Sequence, residues 1–167
     1  MAENPNTPIR PTDDAARALA QSLIAAARHG ALGVIDPACG FPMVTRVAIG
    51  TDMAGAPLTF ISTLSAHTRA LTADPRASLL VGEPGAKGDP LTHPRLTLLA
   101  RATQVTDGSD HDALAARWLD QHPKAKLYIG FTDFSFWRFA VTEAHLNGGF
   151  GRAFVLTAQD IAAPPMI

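Results

Sequence analysis

The chain has 167 residues, 47% hydrophobic and 17% charged, a balance that suits one folded domain with a buried core. A net charge of −1 without a basic block argues against a nucleic-acid groove, and a single cysteine, Cys39, excludes an internal disulfide and a multi-thiol metal site. No apolar run reaches the roughly 20 residues of a membrane span, and the N-terminus lacks a signal-peptide pattern. The expectation is a cytoplasmic protein with no membrane or nucleic-acid partner.

Residues 1–11 hold three prolines and read as a mobile tail. Thr12 is a candidate N-cap, followed by Asp13 and Asp14 where carboxylates suit the helix dipole. Ala16, Leu19, Ala20, Leu23, Ile24 and Ala27 recur at helical spacing, and Gly30 reads as the C-terminal glycine of that helix. Residues 31–35 form a strand, 36–40 a Pro/Gly turn, and 42–49 the return strand. Along that strand Met43, Thr45, Val47 and Ile49 point one way and Val44, Arg46 and Ala48 the other. Arg46 is its sole charge. Burial of a guanidinium requires a carboxylate such as Asp52, a ligand anion, or water at an edge.

Residues 58–62 are a strand, 66–73 a helix with Ser65 as N-cap, and 77–81 a further strand after the helix-ending Asp74-Pro75. Ser62, Thr63 and Ser65 place hydroxyls where the first strand meets the helix N-terminus. The unpaired amides and the dipole there favour an anion such as phosphate, and His67, Thr68 and Arg69 add donors. On this segment alone, an ordinary well-capped surface helix is the favoured reading, since caps are common and phosphate sites are not.

Residues 82–94 form a loop, 95–106 a strand, and Ser109 caps a helix that ends near Gln121 and buries Leu114, Ala115, Trp118 and Leu119. A helical turn is expected over 123–129 and an aromatic-rich strand over 134–145, with Phe136 and Trp137 in the core. Residues 146–156 read as a bent last strand broken by Gly148, Gly149 and Gly151, and 157–161 as a short helical tail. About seven short strands with hairpin spacing predict a mainly β, α+β fold: a small antiparallel barrel flanked by helices, spanning residues 12–161, with tails at 1–11 and 162–167. The sequence contains no HExxH, GxSxG, GxGxxG or P-loop pattern, and no metal site is expected.

The order of segments resembles the pyridoxamine 5'-phosphate oxidase-like, FMN-binding split-barrel family, and within it the haem-utilisation branch. Four places carry the resemblance. They are Gly40-Phe41-Pro42-Met43-Val44-Thr45-Arg46-Val47; residues 61–71 with Asp74-Pro75 and the strand after them; Arg95-Leu96-Thr97-Leu98; and Asp133-Phe134-x-Phe136-x-Arg138 leading to Gly148-Gly149-Phe150-Gly151-Arg152-Ala153. The resemblance implies an antiparallel split β-barrel that binds FMN at a homodimer interface. It implies an oxidoreductase working on a small-molecule substrate or electron donor, with no catalytic side chain assigned.

By the same resemblance Arg46 grips the FMN phosphate, and Ser65 and His67 fall in the family's phosphate cluster. Thr45, Val47, Ile61, Ser62, Thr63, Thr68, Arg95 and Arg138 complete the implied cofactor site. Arg101 stands where many members have glycine. Haem-degrading members use a C-terminal histidine, whereas no histidine follows His145 here. Haem binding, or flavin carriage without catalysis, is the alternative to a flavoenzyme.

Overall fold

The computed structural model describes residues 8–162. Nine strands form one sheet, with β1 Ile9–Arg10, β2 His29–Ile35, β3 Pro42–Ala48, β4 Gly50–Thr51 and β5 Pro57–Ser62 in the first half. β6 Arg76–Val81, β7 Arg95–Gln104, β8 Phe134–Asn147 and β9 Ala153–Thr157 follow. The helices are α1 Asp14–Ala26, α2 Ala66–Ala73, α3 Gly108–Gln121 and the one-turn α4 Ala158–Ile161. No described helix is long and apolar enough to cross a membrane.

The sheet runs β1-β9-β8-β7-β6-β2-β3, antiparallel except for the parallel β1–β9 pair. β8 is long enough to serve two partners on one edge. Its first residues, Phe134 to Arg138, pair with β5, and its last, Glu143 to Asn147, pair with β9. That division splits the barrel. β3 ends the hydrogen-bonded order, and side chains close the seam between it and β5 and α2. Across that seam the buried Thr59 hydroxyl donates to the Ala48 carbonyl at 2.7 Å.

Two cores result. The larger lies inside the barrel, where alternate residues such as Leu32, Leu79, Leu96, Leu98 and Leu146 meet the Ala16–Ala20–Ile24 stripe of α1. The smaller lies outside β5 and β8 and is aromatic, with Phe60 and Phe136 packed beneath Trp118 of α3. Phe136 and Trp137 are both buried, as expected, though in different cores.

Several local expectations are corrected. Asp13 rather than Thr12 caps α1, and Asp107 rather than Ser109 caps α3, each carboxylate accepting first-turn amides. α1 stops at Ala26, so Gly30 is no helix terminator. It lies within β2 opposite Val47, where a Cβ would sit 2.8 Å from the Leu80 carbonyl oxygen of β6. Gly148 to Gly151 turn the chain between β8 and β9 instead of bending one strand, with φ of +114° and +66° at Gly149 and Gly151. Ile9 and Arg10, read as part of a tail, pair with β9. The rest of that tail, 1–7, and residues 163–167 lie outside the described residues.

Candidate ligand-binding site at the barrel seam

Strand parity decides where β3 sends its side chains. Thr45 lies opposite the buried Leu32 and turns inward with Val47, whereas Arg46 lies opposite Ala31 and turns outward with Val44. Arg46 is therefore exposed rather than buried. Among the described residues it has no carboxylate within ion-pair distance, and the proposed partner Asp52 instead accepts from Arg138 Nε at 3.1 Å. An exposed guanidinium on the edge strand is open to solvent and available to an anion.

The outer face that carries Arg46 mixes exposed apolar side chains with Arg76 and Arg101. Val44 is 68% exposed, and Leu80 and Leu99 are also exposed. A hollow of about 250 Å³ opens there, lined by Gly33, Ile35, Pro42, Val44, Arg76 and Ser78. A larger hollow of about 390 Å³, bounded by Ile24, Pro57, Phe139, Val141 and Ile161, carries no titratable side chain and holds none of the expected site residues.

On the inner side of the seam the chain leaves β5 and turns into α2. Ser62 organises that turn. Its hydroxyl donates to the Asp133 carboxylate and accepts from the Leu64 amide at 3.1 Å, while its carbonyl accepts from the Thr68 hydroxyl at 2.6 Å and the Ser65 amide at 3.1 Å. Thr63 donates its amide to the Asp133 carbonyl at 2.8 Å. Ser62 and Thr68 are thus spent on the turn, whereas Thr63 is exposed and the Ser65 hydroxyl makes no cap bond. Leu64, at the apex of the turn, is 79% exposed. Ile61 is buried in the main core.

His67, in the first turn of α2, meets Thr45 across the seam, with Nδ1 3.1 Å from Oγ1. Burial pushes the His67 imidazole below its ordinary value near 6.5, so it is neutral at pH 7. Burial does the same to His122, whose Nε2 donates to the Ile49 carbonyl at 2.9 Å. The unfolded chain therefore binds more protons than the folded one below about pH 6.5. Stability is full above that value and is lost as pH falls through the lowered folded values. Thermal unfolding between pH 7.5 and 5 is expected to show a falling midpoint, with a flatter profile in His122→Gln. A midpoint that rises on acidification would contradict this assignment.

The structure gathers Thr45, Arg46, Val47, Ser62, Thr63, Ser65, His67 and Thr68 around one seam. It does not bring Arg95 there. Arg95 pairs in register with Asn147, at the end of β8 remote from the Phe134–Ser62 pair, and donates to the Leu91 carbonyl at 2.8 Å. Arg138 is held by Asp52 and by Asp110 of α3, both at 3.1 Å. Arg101 is exposed opposite Arg76 on the outer face. Asp133, which grips the Ser62 turn from 71 residues away, had no local sequence signal as a site residue.

Residues 11–162 match the family model described as CREG, β-barrel. The chain belongs to the CREG β-barrel family. This family lies within the FMN-binding split-barrel superfamily, so the expected fold is the observed one. The chain is 34% identical over 118 residues to the chloroplastic non-canonical heme oxygenase HOZ of Arabidopsis thaliana, an alignment covering 70% of this chain and 35% of that protein. A heme binding protein from Mycobacterium smegmatis is 33% identical, with a TM-score of 0.79 over 92% of this chain and 61% of that one. The chain thus spans about a third of the plant protein and under two thirds of the mycobacterial one. A Clostridium acetobutylicum protein of the pyridoxinephosphate oxidase family shares the fold at 13% identity, with a TM-score of 0.69 over 90% of this chain and 99% of that one.

Proposed function

We propose that this CREG β-barrel chain binds haem at the β3 seam, in a cleft that a second copy completes. The observation that carries the reading is the pairing, along one edge strand, of an unneutralised outward Arg46 with an inward Thr45 that holds a neutral His67. Haem needs a cation for its propionates, apolar surface for its faces, and a neutral nitrogen for its iron. Arg46, the exposed Val44 and Leu64, and His67 have those chemistries. Two relatives above 30% identity whose names carry heme support the same reading.

The second copy is proposed for the outer face, because Val44 on β3, Leu80 on β6 and Leu99 on β7 expose apolar side chains on one side of the sheet, which a second copy would cover. Light scattering is expected to return the mass of a dimer at micromolar concentration. A monomer mass would remove the partner from the proposal.

The test of the function is a haemin titration followed in the Soret region. Wild type is expected to bind stoichiometrically, and Arg46→Ala to bind about tenfold more weakly through loss of one charge-assisted contact. No Soret shift with wild type would end the haem reading. One observation favours FMN as a second reading: Arg46 is unpaired and the Ser65 hydroxyl unused beside the α2 N-terminus, which suits a phosphate. In that case the chain retains flavin absorbance after desalting, and the flavin exchanges electrons with a small-molecule donor.

A further inference from the structure

The long strand β8 has two partners on one edge and a gap between them. Its ladder to β5 ends at the Leu58–Arg138 pair, and its ladder to β9 begins at Glu143–Thr157. Residues 139–142 therefore have no strand partner on that edge, although β7 runs along the other. The sequence explains both limits. The register puts Pro57 opposite Phe139, and a proline has no N–H to donate. Beyond Thr157 the chain turns into α4, and the Thr157 amide donates to Asp160 Oδ2 at 2.8 Å in a capping box.

Alternation along the strand fixes where the backbone groups of the gap point. The Phe136 carbonyl accepts from the Val105 amide on the β7 side at 2.9 Å, whereas the Asp133 carbonyl accepts from the Thr63 amide on the β5 side at 2.8 Å. Phe139 and Val141 share the parity of Asp133, so their N–H and C=O groups turn to the edge that holds the gap. Both residues line the hollow of about 390 Å³, together with the apolar Ile24 of α1, Ala56, Pro57 and Ile161 of α4.

Small-molecule sites commonly measure about 300–1,000 Å³, and this hollow is of that size. No titratable side chain lines it, so an ion entering it would lose water without gaining a counter-charge. A wholly apolar guest would leave the backbone groups of the gap without partners. The chemistry that satisfies both conditions is a neutral molecule with an apolar body and one edge that donates and accepts, as a secondary amide does.

We propose that this hollow is a binding site for a neutral, amide-bearing small molecule, which pairs with the β8 edge at Phe139 and Val141 as a short strand would. The site is separate from the β3 seam and does not depend on haem binding there.

The experiment is a titration of the isotope-labelled full chain, followed by amide chemical shifts, with acetanilide, propylbenzene and phenylacetate as probes of similar size. Acetanilide is expected to produce saturable shifts at Val141 and its neighbours, with an affinity at least about tenfold above that of propylbenzene, which lacks the amide. Phenylacetate, which is charged, is expected to produce none there. Ala158→Phe, at the exposed first residue of α4, fills the hollow and abolishes the response while the rest of the spectrum stays in place. Pro57→Ala supplies an N–H to the Phe139 carbonyl and removes most of the advantage of acetanilide over propylbenzene. No saturable shift with acetanilide, or shifts that survive Ala158→Phe, overturn the site. Equal affinities for acetanilide and propylbenzene overturn the amide chemistry. Binding seen only when the chain is cut after Ala162 gives the hollow to residues 163–167 and overturns the proposal as well.

Discussion

Replacing Phe136 by alanine is expected to lower stability by about 3–5 kcal/mol, the range for emptying a buried aromatic site. Phe136 is fully buried between the sheet and α3, with ring centroids of Phe60 at 4.5 Å and Trp118 at 5.8 Å. The cavity cannot close easily. β5 and β8 are locked in register on one side, and α3 is anchored on the other by Arg138–Asp110 and by Gln121 to Thr51. The same aromatic group includes Phe134, 5.2 Å from Phe60, and Phe134 follows directly on the Asp133 that grips the Ser62 turn. Loss of Phe136 is therefore also expected to loosen the turn into α2. Chemical unfolding measures the first effect, and amide exchange at Leu64 the second. A loss under about 1 kcal/mol would mean that the aromatic core collapses around the gap.

The second large effect is expected at Gly30. A Cβ there meets the Leu80 carbonyl oxygen at 2.8 Å, and that oxygen belongs to the neighbouring strand rather than to a movable side chain. Gly30→Ala must push β2 from β6, at a cost of about 1–3 kcal/mol typical of overpacking. Gly33 in the same strand is its control. Its added Cβ meets the Ser78 hydroxyl at 2.6 Å, and a χ1 rotation removes that contact. Gly33→Ala is expected to cost well under half as much in urea. Equal losses would show that strand propensity, not the approach of Leu80, governs both positions.

These two sites mark where reading the sequence succeeds and where it stops. Periodicity placed Phe136 in the core, because an aromatic run in a strand carries its own signal. It could not say that Phe136 and Trp137 enter different cores, since alternate residues part only when β8 has a layer on each side. Gly30 looked like a helix terminator because a glycine after an alanine-rich helix commonly is one. The helix ended four residues earlier, and the glycine answers to Leu80, fifty residues on in the chain.

The sequence alone determined the order of the longer strands and of the helices, the inward and outward parity of β3, and the four motifs that resemble the split-barrel superfamily. β1 and β4, which bring the strands to nine rather than about seven, were not legible. Each legible feature is carried by neighbours within a few residues, where backbone propensity, turn chemistry and period-2 alternation act. Tertiary structure alone decided which groups are free. Asp52 went to Arg138 and left Arg46 unpaired; Ser62 was spent on Asp133; Thr45 came to His67 across a seam that has no backbone ladder. The reason is physical. A hydrogen bond or ion pair forms with whatever polar group the folded sheet brings within about 3 Å, and that proximity is set by packing of strands far apart in the chain.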